Sequence, residues 1–326
     1  MTDGYSVLQH ALILAPGDPC EVRIGEHRVI TGYIDRVIPF ISANRHGIRV
    51  VGRGKCADLV DCGADLPGSQ ISSASVLDIA RMLAGTYNIT VTAGDEAART
   101  TIVPQQNILF GETVFEVIER DCRYAGLLAY DQPDGSLRLD RVSKRNVGAL
   151  SPLRVERASY EWSMDQRYSE YRTVSQSMNV LSDVGENGNV LVSIKDPTVK
   201  RRRIHYIVAE AASLGQPDII EQRAKWEANR RVGRSHVLTI TVDTWLGPDG
   251  LPWEPNTIVS IDPVEFPGLK LEILERDNDW LIGEVSYQRD GERGTTANLT
   301  LSFPSAYDVY PIILNPQWGD ILPRAQ

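Results

Sequence analysis

No stretch of this 326-residue chain is apolar for long enough to cross a bilayer as a helix. The longest uncharged apolar runs, such as ALILAP at 11 to 16 and GLLAY at 126 to 130, fall far short of the roughly 18 to 20 residues required. MTDGYSVLQH at the start lacks the basic segment and apolar core of a secretory signal peptide, so synthesis and folding in the cytoplasm are expected. Cysteine is scarce. Cys20, Cys56, Cys62 and Cys122 show no C-x-x-C spacing, which excludes a zinc ribbon or a disulfide framework and leaves buried thiols as the reading. Positive charge is short too. Lys and Arg number 34 against 43 Asp and Glu, a net charge of −9. That is the wrong balance for a protein whose main task is to grip nucleic acid, because phosphate neutralisation needs concentrated cations.

Catalytic motifs are missing as well. There is no G-x-S-x-G elbow. His10, His27, His46, His205 and His236 form no H-E-x-x-H pair and read as surface or satisfied strand residues. Gly52-Arg53-Gly54-Lys55-Cys56 imitates a phosphate loop, but its glycines are too close together and Cys56 stands where a Ser or Thr would hold magnesium. A strand and a turn describe it better. No catalytic residue, metal ligand or cofactor is assigned.

What is present is ordinary globular composition, 42% hydrophobic and 24% charged, at a length that suits two or three domains. CEVRI (20 to 24), HRVITGYIDRVIPF (27 to 40) and GIRVVGRG (47 to 54) alternate or are rich in β-branched residues, so the first 60 residues predict a β-meander. Helical spacing follows in SSASVLDIARMLAG (72 to 85), with Ser72 or Ser73 as N-cap and Gly85 closing the helix. YNITV (87 to 91) returns to strand character. Val114, Phe115, Ile118, Cys122 and Ala125 mark a second helix, with Glu112 in its first turn and Gly126 ending it. LLAYD and SLRLD flank Pro133-Asp134-Gly135, a hairpin signal. Further strands are expected at 169 to 178, 202 to 211, 236 to 245, 257 to 261, 279 to 288 and 297 to 303. A loop is expected at 183 to 189, and a helix at 218 to 233 with Asp218 as N-cap and Gly233 as stop. The proline-bearing tail after Pro304 reads as an extended arm.

Three features carry a possible role. Carboxylate pairs such as Glu116 with Glu119 suit a hydrolase, but 43 acidic residues make such pairs inevitable. Arg201, Arg202 and Arg203, after Lys200, read as a solvated edge or a subunit salt-bridge patch. Trp245 and Trp253 flank the turn in WLGPDGLPWEPN; either they fold back on the sheet or they meet a partner.

GDPCEVRIGEHRVITGYIDRV, GRGKCADLVDCGAD, GETVFEVIERDCRYAGLLAYDQPDGSLRL, DQRYSEYRTVSQS and WLGPDGLPWEPNTIVSI resemble, in order and spacing, segments of the baseplate hub proteins of contractile-tailed phages, the phage Mu-type or tail protein D family related to the hub-like part of VgrG. The likeness covers nearly all of residues 17 to 305. It implies an α+β, β-rich fold: a first β-barrel at 1–65, an inserted small α/β domain at 66–145, a second tail-tube-like barrel at 146–305 and a C-terminal arm at 306–326. It further implies a homotrimeric ring in the virion baseplate that joins the hexameric tail tube to the trimeric central spike, touches other baseplate proteins and passes DNA through its lumen, without catalysis. Only sixteen residues precede Gly17, where such hubs carry another strand pair. The first barrel is then incomplete, or completed by another chain, or the start codon is misassigned. The rival readings are a tail-associated cell-wall hydrolase and a carbohydrate-binding β module using Trp245 and Trp253.

Overall fold

In the computed structural model, which describes residues 14–43, 45–176, 189–209, 217–271 and 278–307, the alternating N-terminal stretches become three antiparallel strands: β1 (Pro19–Ile24), β2 (His27–Ser42) and β3 (Arg45–Gly54), in the order β1-β2-β3. β1 pairs with β2 only from His27 to Tyr33, whereas β3 follows β2 from Gly32 to Ser42. A register shift between Ile34 and Arg36 marks a bulge, which bends and twists the pair. Beyond it the sheet is a two-stranded ribbon.

The next unit contains α1 (Ala57–Asp61), β4 (Gln70–Ser75), α2 (Val76–Gly85), β5 (Val91–Ala93), α3 (Ala97–Thr100), β6 (Ile102–Asn107), α4 (Val114–Ala125), β7 (Leu128–Asp131) and β8 (Leu137–Asp140). β4 pairs with β6, and β5-β8-β7 form a second small sheet. The expected helix at 72 to 85 starts later, because QISSAS pairs with IVPQQN and Ser72 lies opposite Gln105. Ser75, not Ser72 or Ser73, is the N-cap, its Oγ accepting from Asp78 N at 3.1 Å. Of YNITV, only Val91 is in a strand, since the chain turns at Asn88 with φ of 56°. α4 opens on a capping box in which Thr113 Oγ1 accepts from Glu116 N and Glu116 Oε2 accepts from Thr113 N. It closes at Gly126, whose φ of 64° is the left-handed cap conformation. Glu112 therefore precedes the cap instead of lying in the first turn. Leu59, Ile79, Leu83, Val117, Ile118 and Leu139 are fully buried in one core, each such side chain contributing about 1.5–3 kcal/mol of burial.

The remainder contains β9 (Asn146–Ala149), β10 (Val155–Trp162), β11 (Glu170–Gln176), β12 (Asn189–Lys195), β13 (Ile204–Ala209), α5 (Pro217–Arg234), β14 (His236–Val242), β15 (Ile258–Ser260), β16 (Asp279–Asp290) and β17 (Gly294–Ser302). A six-stranded sheet runs β10-β14-β17-β16-β15-β9, and a three-stranded sheet β12-β11-β13 has α5 packed on it. The alternation of β14 works as expected, with Leu238, Ile240 and Val242 buried in the second core beside Trp280, Leu299 and Leu301. α5 starts at Pro217, so Asp218 lies inside the helix and not at its cap. Nor does Gly233 stop it, since the helix runs on through Arg234. A Cβ at Gly233 would lie 1.7 Å from Ala306 Cβ, so this glycine is needed for close packing of the segment after β17.

Among the described residues the first sheet and the six-stranded sheet are both open, with β1 and β3 at the edges of one and β10 and β9 at the edges of the other. No helix of the described residues is long and apolar enough to cross a membrane. Most of the loop expected at 183 to 189 and most of the tail expected as an arm lie outside the described residues, as does His10.

Candidate interface

The residues singled out from the sequence occupy different situations. Trp253 is 3% exposed and belongs to the core of the six-stranded sheet, its indole N–H donating to Thr244 O at 3.2 Å. Trp245 is half-buried; its indole N–H is shared between Thr296 O at 2.9 Å and Gln288 O at 3.1 Å, and its ring meets Tyr287 edge-on. Trp253 N also donates to Trp245 O at 3.3 Å, so the turn between them closes on the sheet. Folding back describes both tryptophans. Arg201 and Arg202 are exposed. Arg203 is turned inward and donates to Met164 O at 2.9 Å and Asp165 O at 2.7 Å.

Arg203 also begins a cluster that sequence reasoning missed. Its guanidinium and that of Arg231 each lie about 5 Å from the Tyr168 ring centroid, within cation–π range. Tyr168 stacks on His205 at 4.7 Å. Arg231 approaches His205 Nε2 at 3.1 Å, and since a guanidinium only donates, Nε2 is the acceptor and unprotonated. Burial, then the Arg231 charge, hold the His205 pKa below its ordinary value. Close by, Arg167 and Asp196 form a buried ion pair at 2.6 Å. These contacts seat α5 on the small sheet.

The carboxylates that suggested a hydrolase are engaged elsewhere. Glu116 completes the capping box, and Glu119 pairs with Arg123 at 2.7 Å. Cys56 contacts Gly135 O, and burial pushes its thiol up to about 12, far from the thiolate that nucleophilic chemistry needs. Only Cys122 is fully buried; Cys20, Cys56 and Cys62 are half-buried, short of the burial expected for all four. Among the described residues no group of His, Cys, Asp and Glu is arranged to hold a metal ion.

The three units meet around a cleft of about 620 Å³, lined by His27 and Arg28 from the first sheet, Tyr130 and Asp131 from the α/β unit, and Trp253 and Asn256 from the last. Asn256 is the joint. Its side chain accepts from Ser143 N and donates to Tyr130 Oη and Arg141 O, each at 3.0 Å, from a backbone at φ 58°. At the first sheet, Arg53 bridges Asp35 at 2.6 Å and Asp61 of α1 at 2.7 Å. Thr31 Oγ1 donates to Pro133 O, and Lys55 Nζ donates to Asn88 O, both at 2.8 Å.

Among the exposed large apolar side chains, two groups stand close together in the chain. Leu109 and Phe110 form a tip, with Phe110 wholly in solvent. Glu112 orders it by accepting from Leu109 N at 2.8 Å and pairing with Arg120. The ribbon beyond the β2 bulge exposes Ile38, Phe40 and Ile41, the last at 87%. Among the described residues, none of the first sheet joins either main core.

Three family models match the chain in order. Residues 4–54 match the N-terminal domain of the Mu phage baseplate assembly protein GpP-like family, 56–141 the second domain of the gp44-like baseplate hub proteins, and 216–310 the fourth domain of the Mu phage baseplate assembly protein GpP. The chain is 30% identical to baseplate hub protein gp44 of Escherichia phage Mu over 269 residues, which is 80% of this chain and 70% of that protein. It is similar to the 43 kDa tail protein of prophage MuSo2 from Shewanella oneidensis, with 29% identity, a TM-score of 0.75, and coverage of 91% of this chain and 86% of that one. The tail protein from Neisseria meningitidis MC58 shares the fold at 23% identity and a TM-score of 0.71, over 89% of this chain and 85% of that one.

Proposed function

Because the chain belongs to the baseplate hub family of Mu-like phages, we propose that it is a structural hub of a contractile tail: a homotrimeric ring that joins the tail tube to the central spike and leaves a channel for DNA. The observation that carries this reading is the pair of open β-sheets on one chain. Unpaired strand edges are natural docking sites, and copies set edge to edge around an axis would complete barrels that one chain leaves unfinished. If the first sheet and the six-stranded sheet each seed one barrel per chain, a trimer has six sectors, which suits a hexameric tube on one side and a trimeric spike on the other.

In this reading the domains are the first sheet, the α/β unit, the second sheet with its α5 subdomain, and a C-terminal arm from 306. The boundary at 65 is better drawn before Cys56, since Leu59 packs in the α/β core. Arg201, Arg202 and the exposed edge of Trp245 are retained as interface candidates. The partners are other copies of the chain, a tube or distal tube protein, the spike and other baseplate proteins. The role is structural, located in the virion, and an acidic chain lining the lumen would repel DNA phosphates and let the genome slide.

Light scattering on the purified protein should return three chain masses. A strict monomer throughout the micromolar range would refute the ring. An image of the particle that places the chain away from the junction of tube and spike would refute the adaptor role.

A further inference from the structure

The ribbon of β2 and β3 is anomalous in charge as well as exposure. From Arg36 to Ala57 the chain holds Arg36, Arg45, Arg49, Arg53 and Lys55 and no Asp or Glu. The whole chain carries −9, so everything outside that stretch carries −14. Arg53 and Lys55 are spent fastening the base of the ribbon. Arg36 and Arg49 are exposed and have no side-chain partner among the described residues.

Strand alternation sets Arg36, Ile38 and Phe40 on one face and Val37, Pro39 and Ile41 on the other. Arg49 pairs with Ile38 and Gly47 with Phe40. The Phe40 ring lies across Gly47, where a Cβ would come within 2.9 Å of it. One face thus presents an apolar strip flanked by two free cations, and the other an apolar strip with His46 beside Ile41 at its end. An isolated two-stranded hairpin is marginal in water at best, so a ribbon with both faces apolar calls for a cover.

We infer that the ribbon at 36–51 is an arm that docks into a second copy of this chain, which covers Ile38 and Phe40 on one face and Ile41 on the other and sets its carboxylates against Arg36 and Arg49. The inference rests on the ring reading and adds the element and the charges that join one copy to the next. Charge complementarity favours this occupant: the arm is basic and the rest of the same chain strongly acidic. Nucleic acid fits less well, because phosphates engage the cations but leave Ile41 and Val37 uncovered, and the acidic remainder repels them.

The test is sedimentation of the full-length protein with both arginines reversed, Arg36→Glu and Arg49→Glu, and separately with Ile41→Ser. These exposed positions should leave circular dichroism and melting of the dilute protein unchanged, while each variant weakens self-association by roughly tenfold or more. High salt should weaken wild-type assembly and have little effect on the charge-reversed variant. A benzophenone amino acid in place of Ile41 should photo-couple to another copy. If the wild type assembles and both variants assemble equally well, the arm is refuted and the ring stands. If the wild type stays monomeric, the ring and the arm fall together. If charge reversal spares assembly but abolishes retention on a duplex DNA probe, the arm is a nucleic-acid contact and the inference is overturned.

Discussion

His205 shows how one protonation site can hold two elements together. Its Nε2 accepts from Arg231 while its ring lies on Tyr168, itself flanked by the Arg203 and Arg231 guanidinium groups. A proton on this imidazole would remove the acceptor and add a third cation. The folded-state pKa is lowered from 6.5, so the unfolded chain binds the proton more readily. The stabilisation is therefore complete above about pH 6.5 and fades as pH falls below it. Partial exposure keeps the effect small. His205→Gln should remove that pH dependence, so that melting curves of wild type and variant diverge by roughly 2 °C more at about pH 5 than at about pH 7.5; parallel curves would exclude the mechanism. The sequence placed His205 on a strand, and it lies in β13. Its partners were not legible, because Tyr168 and Arg231 arrive from distant segments through the β11–β13 pairing and the packing of α5.

Elements were readable wherever local chemistry and burial agree. The helix at Val114–Ala125 was legible in its apolar face and its closing glycine, and both act as their chemistry predicts, whereas the capping box of Thr113 and Glu116 went unread and Glu112 was set one turn too far in. SSAS at 72 to 75 was misread because its helix-compatible spacing lost to pairing with β6, a contact that nothing within the segment encodes. Gly233 was misread for a related reason: a glycine near a helix end suggests a cap, whereas here Ala306 forbids a methyl group. β6, β9, β10 and β12 went unassigned. Since the α4 cap is local, its loss should be too. Thr113→Ala is expected to cost about 1 kcal/mol, lowering the melting temperature by a few degrees at most, while Thr113→Ser restores most of it. No change in melting for the alanine variant would show that the helix end is held by packing alone.

The two main cores divide the molecule unevenly. One lies wholly between Leu59 and Leu139, and the other between Val147 and Phe303. Residues 56–141 cut out alone should therefore fold with a cooperative thermal transition and protected amides in α2 and α4. A fragment of residues 1–55 should show neither. A cooperative transition in that shorter piece, or its absence in the longer one, would contradict the division. The open sheets were the hardest feature to foresee, since period-two patterning gives a strand two faces and says nothing about whether a sheet closes. The base of the first sheet is fixed by Asp61, Asn88 and Pro133, which follow it in the chain. Ribosomes build proteins from the amino end, so what is made first here settles last. The nascent ribbon must wait, greasy and basic, until its clamp has been translated, and in that interval chaperones or proteases have their best chance at this protein.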